Sequence, residues 1–284
     1  MAKVASRSWI EAAKPFAART GVTPLHCHFV VPRNREMIAA VYRDTTKEQT
    51  IANMLLPRSM LRSGAAAWAE IKDARDRGEV IRIITGMRDP VARSISFVVF
   101  MADFYGHTTL PLNPRAAVSA DYVIAFLQEN WKAVLERRAP DSTFEWLLWF
   151  VTGAYRTWFD DELRVSYGVD VRATPFERGV GVQRLQGERV DILAYRTEDL
   201  APSSRGHPGL LKHARAFLET GFPEFPNVNT SRTRRSSALS DEVRRRFSLP
   251  DDMLDAVYDD ATVRHFYSPD EIEGFRRRWS ERRD

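Results

Sequence analysis

Apolar positions along the chain fall into two spacings. Val80, Ile81, Ile83 and Ile84 form a β-branched run that predicts a buried strand. Thr85-Gly86 relaxes it and Arg88-Asp89-Pro90 follows. Ile95, Val98 and Val99 then recur at helical spacing, with Pro90 suited to the first helical turn because its missing N–H would have no partner there. Val190–Tyr195 reads as another buried strand, the second arm of a hairpin within Arg184–Tyr195 whose turn is assigned to Gly187. Thr23–Val31 is a short apolar strand interrupted by His26 and His28, which strand period places on one face. Strands near Leu25–Val30, Val80–Met87 and Val190–Tyr195 are expected to form a central, mainly parallel sheet with helices on both faces, an α/β fold.

Helical spacing dominates elsewhere. A helix is expected from about Ile10, another short one over Glu36–Tyr42, and a third over Ala65–Arg75 with Trp68 and Ile71 on one side and Gly78 ending it. Ala120–Arg137 is the strongest, with Val123, Phe126, Leu127, Trp131, Val134 and Leu135 on its apolar face and Pro140 beyond it. Phe144–Phe150, Tyr155–Leu163, Leu210–Leu218, Asp241–Phe247 and Met253–Tyr258 follow the same pattern. Ser268-Pro269-Asp270-Glu271 is a capping box that starts a final helix carrying Ile272, Phe275 and Trp279. Gly168–Pro175 reads as strand or irregular structure, and Asp103–Asn113 and Pro223–Ser237 as loops.

Length and composition narrow the class. The 284 residues allow one large domain or two small ones. A net charge of +4, carried mostly by arginine, favours anionic partners weakly. Cys27 is the single cysteine, so no internal disulfide forms, which suits a reducing, cytoplasmic location. No apolar run reaches the roughly 18 residues of a membrane span, so no integral membrane segment is expected. Helix-turn-helix, zinc-finger and RNA-binding signatures are absent, which argues against a basic nucleic-acid-binding module.

Three stretches carry candidate chemistry. Arg88 stands where a strand feeds a helix, a geometry that presents unpaired N–H groups to anions, and Ser96 lies eight residues on. The alternative is a capped helix with Arg88 on the surface. Lys3, Ala5, Ser6 and Ser8 form a small-residue stretch able to cradle a phosphate, or a frayed, serine-capped terminus. It is not a Walker A loop. His26 and His28 suit a general base near neutral pH, or a hydrogen-bonded structural pair; without CxxC they do not complete a zinc site. Glu198 and Asp199, at a strand end, either orient a basic residue of the phosphate site or cap and pair at the surface. Arg232, Arg234 and Arg235 cover an anionic ligand or form a solvated turn.

Together these stretches resemble sulfotransferases that use 3′-phosphoadenosine 5′-phosphosulfate (PAPS), closest to carbohydrate 2-O-sulfotransferases and putative capsular polysaccharide synthesis proteins. Lys3-Val4-Ala5-Ser6-Arg7-Ser8 resembles the 5′-phosphosulfate loop, and Arg88-Asp89-Pro90-Val91-Ala92-Arg93-Ser94-Ile95-Ser96 the 3′-phosphate segment. His26-Cys27-His28 is similar to the acceptor-side His-x-His. Trp158-Phe159-Asp160, Gly168-Val169-Asp170-Val171, Pro175-Phe176 and His265-Phe266-Tyr267-Ser268 are similar to the capsular-synthesis family. The resemblance implies one P-loop-like domain over 1–284, with 223–284 as its C-terminal loop and helical extension. It implies PAPS as co-substrate with no metal, and a carbohydrate acceptor in bacterial polysaccharide synthesis. A cytoplasmic location, with peripheral membrane association during that synthesis, goes with it. Arg88 and Ser96 would hold the 3′-phosphate, and Lys3, Ala5, Ser6, Arg7 and Ser8 the 5′-phosphosulfate, with Arg232 as a further donor contact. His28, then His26, would be the base, and Lys3 would stabilise the leaving group. Arg7 departs from the family's small hydroxyl residue at its position. The strand expected before Lys3 has no residues here, so the first strand of the fold is expected to be missing, through an upstream start or a damaged nucleotide site. A noncatalytic PAPS- or glycan-binding protein is the alternative function; a small-molecule kinase is disfavoured because no metal-binding carboxylate set is evident.

Overall fold

The computed structural model describes residues 6–22, 24–26, 31–32, 35–36, 58–104, 119–136, 152–200, 208–221, 225 and 237–281. In chain order the principal elements are α1 (Ser6–Thr20), α2 (Arg58–Asp76), β1 (Ile81–Met87), α3 (Pro90–Phe104), α4 (Ala120–Leu135), β2 (Val182–Gly187), β3 (Val190–Arg196), α5 (Pro208–Leu218), α6 (Ser237–Arg246), α7 (Asp251–Tyr258), α8 (Ala261–Phe266) and α9 (Pro269–Trp279). Residues 152–158 are helical and run into a π-helical turn over Phe159–Arg164. Two compact units result. The first takes Met1–Arg35, Met60–Arg88 and Thr157–Asn229; the second takes Glu36–Ser59, Asp89–Arg156 and Thr230–Asp284.

The first unit is built on a three-stranded sheet in the order β1-β3-β2. β1 runs parallel to β3, with Ile81 opposite Val190 and Met87 opposite Arg196. β2 is antiparallel to β3, so the sheet is mixed and not mainly parallel. All seven residues of β3 are buried, as expected of a central strand covered on both faces. On one face Leu193, Tyr195 and Val182 pack against Trp9, Ala12 and Ala13 of α1 and Leu210, Ala214, Phe217 and Leu218 of α5. Full burial of one such large side chain contributes about 1.5–3 kcal/mol. The opposite face meets the stretch after the π turn. Gln183 Nε2 donates to the Val171 and Thr174 carbonyls at 2.9 and 2.6 Å, and the Arg196 guanidinium lies 5.5 Å from the Phe176 ring centre.

Glycines and caps explain several boundaries. Gly78, at φ 77°, ends α2: its N–H reaches the Arg75 carbonyl and that of Glu79 the Ala74 carbonyl, a Schellman arrangement. The hairpin turn is Glu188-Arg189, with Arg189 at φ 56°, and not Gly187. Gly187 pairs with Val190 inside the sheet, where an added Cβ would lie 2.7 Å from Val169. Its missing side chain makes room for packing. Leu25 and His26 lie outside any strand, and 27–30 are outside the described residues. Gly168–Pro175 is irregular, with one 3-10 turn at Val171–Ala173.

The second unit is helical among the described residues. α3 packs on α4 and α6, and α7 packs on α4 and α9. Ile95, Val123, Leu127, Trp131, Val243, Phe247, Val257 and Phe266 are fully buried. α3 continues through Phe104, so Asp103 is helical and not part of a loop. α4 starts at the Ser119 cap, which accepts from the Tyr122 N–H at 3.2 Å. The capping box of α9 forms as the sequence predicts: Ser268 Oγ accepts from the Glu271 N–H at 3.2 Å and Glu271 Oε2 from the Ser268 N–H at 2.8 Å. No helix among the described residues is long and apolar enough to cross a membrane.

Candidate functional site

The carboxyl ends of parallel strands are where open α/β sheets bind ligands, because side chains and loops there emerge beside one another. In the first unit this edge is formed by Met87 of β1 and Arg196 of β3, which are paired. Arg88 follows directly and is half-buried. The Thr197 hydroxyl donates to the Met87 carbonyl at 3.1 Å, tying the turn after β3 to the end of β1. Arg196 and Asp199 form a buried two-point pair, Nε to Oδ2 at 2.7 Å and Nη2 to Oδ1 at 2.9 Å. The acidic residue at this strand end therefore orients an arginine, and that arginine is Arg196.

The first turn of α1 takes up Ser6, Arg7 and Ser8, which the sequence places in a loop. α1 starts this early because no Gly or Pro interrupts 6–14 and Ser8, Trp9, Ala12 and Ala13 are buried on one side. Ser8 is 8% exposed, with little surface left for a phosphate oxygen. Lys3 and Ala5 lie outside the described residues, as do Cys27, His28 and Arg232. His26 is half-buried in irregular chain. Downstream of it the Val31 N–H donates to Glu162 Oε2 at 3.0 Å. Glu162 is 2% exposed and sits on the π turn, where the Val165 N–H reaches back five residues to the Asp160 carbonyl. Glu36 is exposed.

In the second unit α3 carries the rest of the phosphate segment. Asp89 caps it: Oδ1 accepts from the Val91 N–H at 3.1 Å, and its carbonyl accepts the first helical bond from Arg93 at 2.9 Å. Asp89 Oδ1 also accepts from Tyr258 Oη, and Oδ2 from Trp279 Nε1, both at 2.8 Å. Burial pushes the Asp89 carboxyl above its ordinary range, against the pull of these donors. Ser94 Oγ donates to the Val91 carbonyl at 2.9 Å and accepts from Trp131 Nε1 at 3.1 Å, so that hydroxyl belongs to the interior. Ser96 differs. Over residues 90–100 of α3, whose burial is described, Ala92, Ser96 and Phe100 are half-buried and spaced four apart, while Val91, Arg93, Ser94, Ile95 and Phe97–Val99 are buried. That spacing puts all three on one stripe of the helix, its less buried side.

Sequence reasoning missed Tyr258 and Trp279 as partners of Asp89, and Glu162 as an anchor of the chain after the histidines. Trp279 and Phe275 show only core spacing, and nothing local links positions so distant in sequence. Among the described residues no group of three His, Cys, Asp or Glu side chains is set to hold a metal. No protein-family model, curated protein or solved structure matches the chain in the three comparisons made.

Proposed function

We propose that the chain is a PAPS-dependent sulfotransferase of P-loop-like fold that sulfates a carbohydrate hydroxyl, in bacterial polysaccharide synthesis. The observation that carries this reading is the placement of the Arg88–Ser96 segment. It begins at the carboxyl end of a strand in parallel pairing and continues into a helix capped by Asp89-Pro90, with Ser96 on the half-buried stripe. A strand end, the arginine that follows it and a half-buried hydroxyl on the next helix are parts a phosphate site can use; the Asp89 carboxylate already takes the Val91 N–H, so the helix N-terminus is not among them.

In this reading Arg88 and Ser96 hold the 3′-phosphate. The stretch Lys3, Ala5, Ser6 and Arg7 faces the 5′-phosphosulfate, with Arg232 as a further contact, while the buried Ser8 supports the stretch from within α1. The acceptor oxygen attacks sulfur in line as the S–O bond to adenosine 3′,5′-bisphosphate (PAP) breaks. The acceptor proton passes to His28, with His26 as the second candidate. Lys3 stabilises the charge that develops on the leaving phosphate.

The test is transfer of label from sulfur-labelled PAPS to a panel of bacterial polysaccharides, with R88A, H26A and H28A beside the wild type. Transfer by the wild type, lost in R88A and in one histidine variant, is expected. PAP binding without any transfer marks a noncatalytic binding protein. Unchanged turnover in both histidine variants removes them from the mechanism.

A further inference from the structure

Asp89 does more than cap a helix. A capping carboxylate needs one oxygen turned to the first N–H groups and sits comfortably in water. This one is 1% exposed, and both its oxygens are engaged by side chains from far along the chain. Tyr258 closes α7 and Trp279 closes α9. Their hydroxyl and indole N–H converge on one carboxylate at 2.8 Å each. The two rings are themselves buried, and the Leu249 N–H donates to the Trp279 carbonyl at 2.9 Å, which fixes the end of α9 from its backbone side too. A short capping side chain held at two oxygens by rigid aromatics sets both the rotation and the axial position of the helix it caps.

We propose that Asp89 is a positioning residue for the donor site. By locking the start of α3 to the C-terminal ends of α7 and α9, it holds Ser96 in register for the 3′-phosphate. The inference rests on the PAPS reading above. It assigns the C-terminal helices a part in donor recognition, with Tyr258 and Trp279 acting through Asp89 and touching no ligand. Displacement of a positioned group by about 1 Å is enough to cost on the order of a hundredfold in a site's performance.

The test compares PAP with adenosine 5′-phosphate (AMP), which lacks the 3′-phosphate, on the wild type, W279F and Y258F. Y258F keeps the ring and removes one donor to Asp89; W279F replaces the indole with a smaller ring and removes the other, so the comparison of PAP with AMP, and not the absolute loss, carries the test. Calorimetry is expected to show PAP bound about tenfold more weakly by W279F, the loss of about one hydrogen bond's worth of positioning, with AMP affinity within about twofold of the wild type. Where a variant is too unstable for calorimetry, the Tm shift on adding PAP against AMP gives the same comparison. Equal losses for PAP and AMP mean that the cluster only supports the fold, and they overturn the proposal. Wild-type PAP affinity in both variants also overturns it, while leaving the donor reading intact. A wild type that binds PAP no better than AMP overturns the donor reading itself, and this inference with it.

Discussion

Asp199 in one unit and Asp89 in the other are both buried, and the two are satisfied by different means. In the sheet-based unit Asp199 meets the Arg196 guanidinium through two short hydrogen bonds, charge against charge. In the helical unit Asp89 meets a phenol, an indole and a backbone N–H, all neutral donors. A charge pair removed from water is worth little over an apolar replacement but is costly to halve. Asp89 feels the Arg278 charge as well, and the cost of burying it is spread over several hydrogen bonds. The two sites should therefore answer mutation differently.

The largest effect is expected in the first unit. R196M leaves Asp199 buried without its partner and should cost about 3–5 kcal/mol, read from the urea midpoint. The double variant R196M/D199L should recover most of that loss; a double variant as unstable as R196M would mean that the pair is not the source of the cost. D89A, which leaves Tyr258, Trp279 and the Val91 N–H without their acceptor, should cost about 3 kcal/mol by the same measurement. Losses from Y258F and W279F that each match D89A would show the donors acting as one unit and not as separate bonds.

Glycine sharpens the contrast in packing. An added Cβ on Gly86 would sit 2.6 Å from the Tyr195 ring, which is 1% exposed and wedged by Trp9, with ring centres 5.0 Å apart. G86A should cost about 1–3 kcal/mol. Gly274, inside α9, has nothing within 4 Å of its added Cβ, so G274A should instead stabilise by about 0.5–1 kcal/mol. A stable G86A would mean that the Tyr195 ring does not lie against Gly86.

The smallest expected effects are in pH dependence, and they have opposite signs. Burial raises the Asp89 carboxyl, so between the unfolded and the folded pKa the folded state binds more proton than the unfolded state. The wild type should gain stability over D89N as pH falls through the folded pKa, the gain being complete below the unfolded value. Asp170, on the first unit, is lowered because its oxygen accepts from the Arg172 N–H, aided by the nearby Arg172 and Arg164 charges. The wild type should hold its advantage over D170N above the unfolded carboxylate value and lose it as pH falls through the folded one. Tm against pH for the two variants reads both signs, and parallel curves would contradict the assignment.

Much of the frame is legible locally. The apolar run at Val190–Tyr195 marks β3 because a strand buried on both faces needs no alternation, whereas the β-branched run before Thr85 marks β1 but not its burial: Ile81, Ile83 and Ile84 are only half-buried and Val80, 62% exposed, lies outside the strand. Gly78, Pro90 and Ser268-Pro269-Asp270-Glu271 mark helix ends because capping is a nearest-neighbour matter. Gly187 misleads since a glycine forced by a neighbour's packing looks the same in sequence as one forced by a turn. The antiparallel pairing of β2 makes the sheet mixed, and the partners of Asp89 come from Tyr258 and Trp279, which no local spacing connects to it. Of the candidate site, the Arg88–Ser96 stretch is readable as strand end and helix, while the half-buried stripe that singles out Ser96 from Ser94 depends on how α3 packs.

The measurement that bears most directly on the central claim is calorimetry of PAP against AMP with the wild type and R88A. Recognition of the 3′-phosphate by Arg88 predicts that the wild type binds PAP far more tightly than AMP. R88A should lose that margin, by about tenfold or more for a charged two-point contact, while AMP binding stays near the wild-type value. Equal affinity of the wild type for the two nucleotides, or an R88A variant that keeps the full margin, contradicts the account.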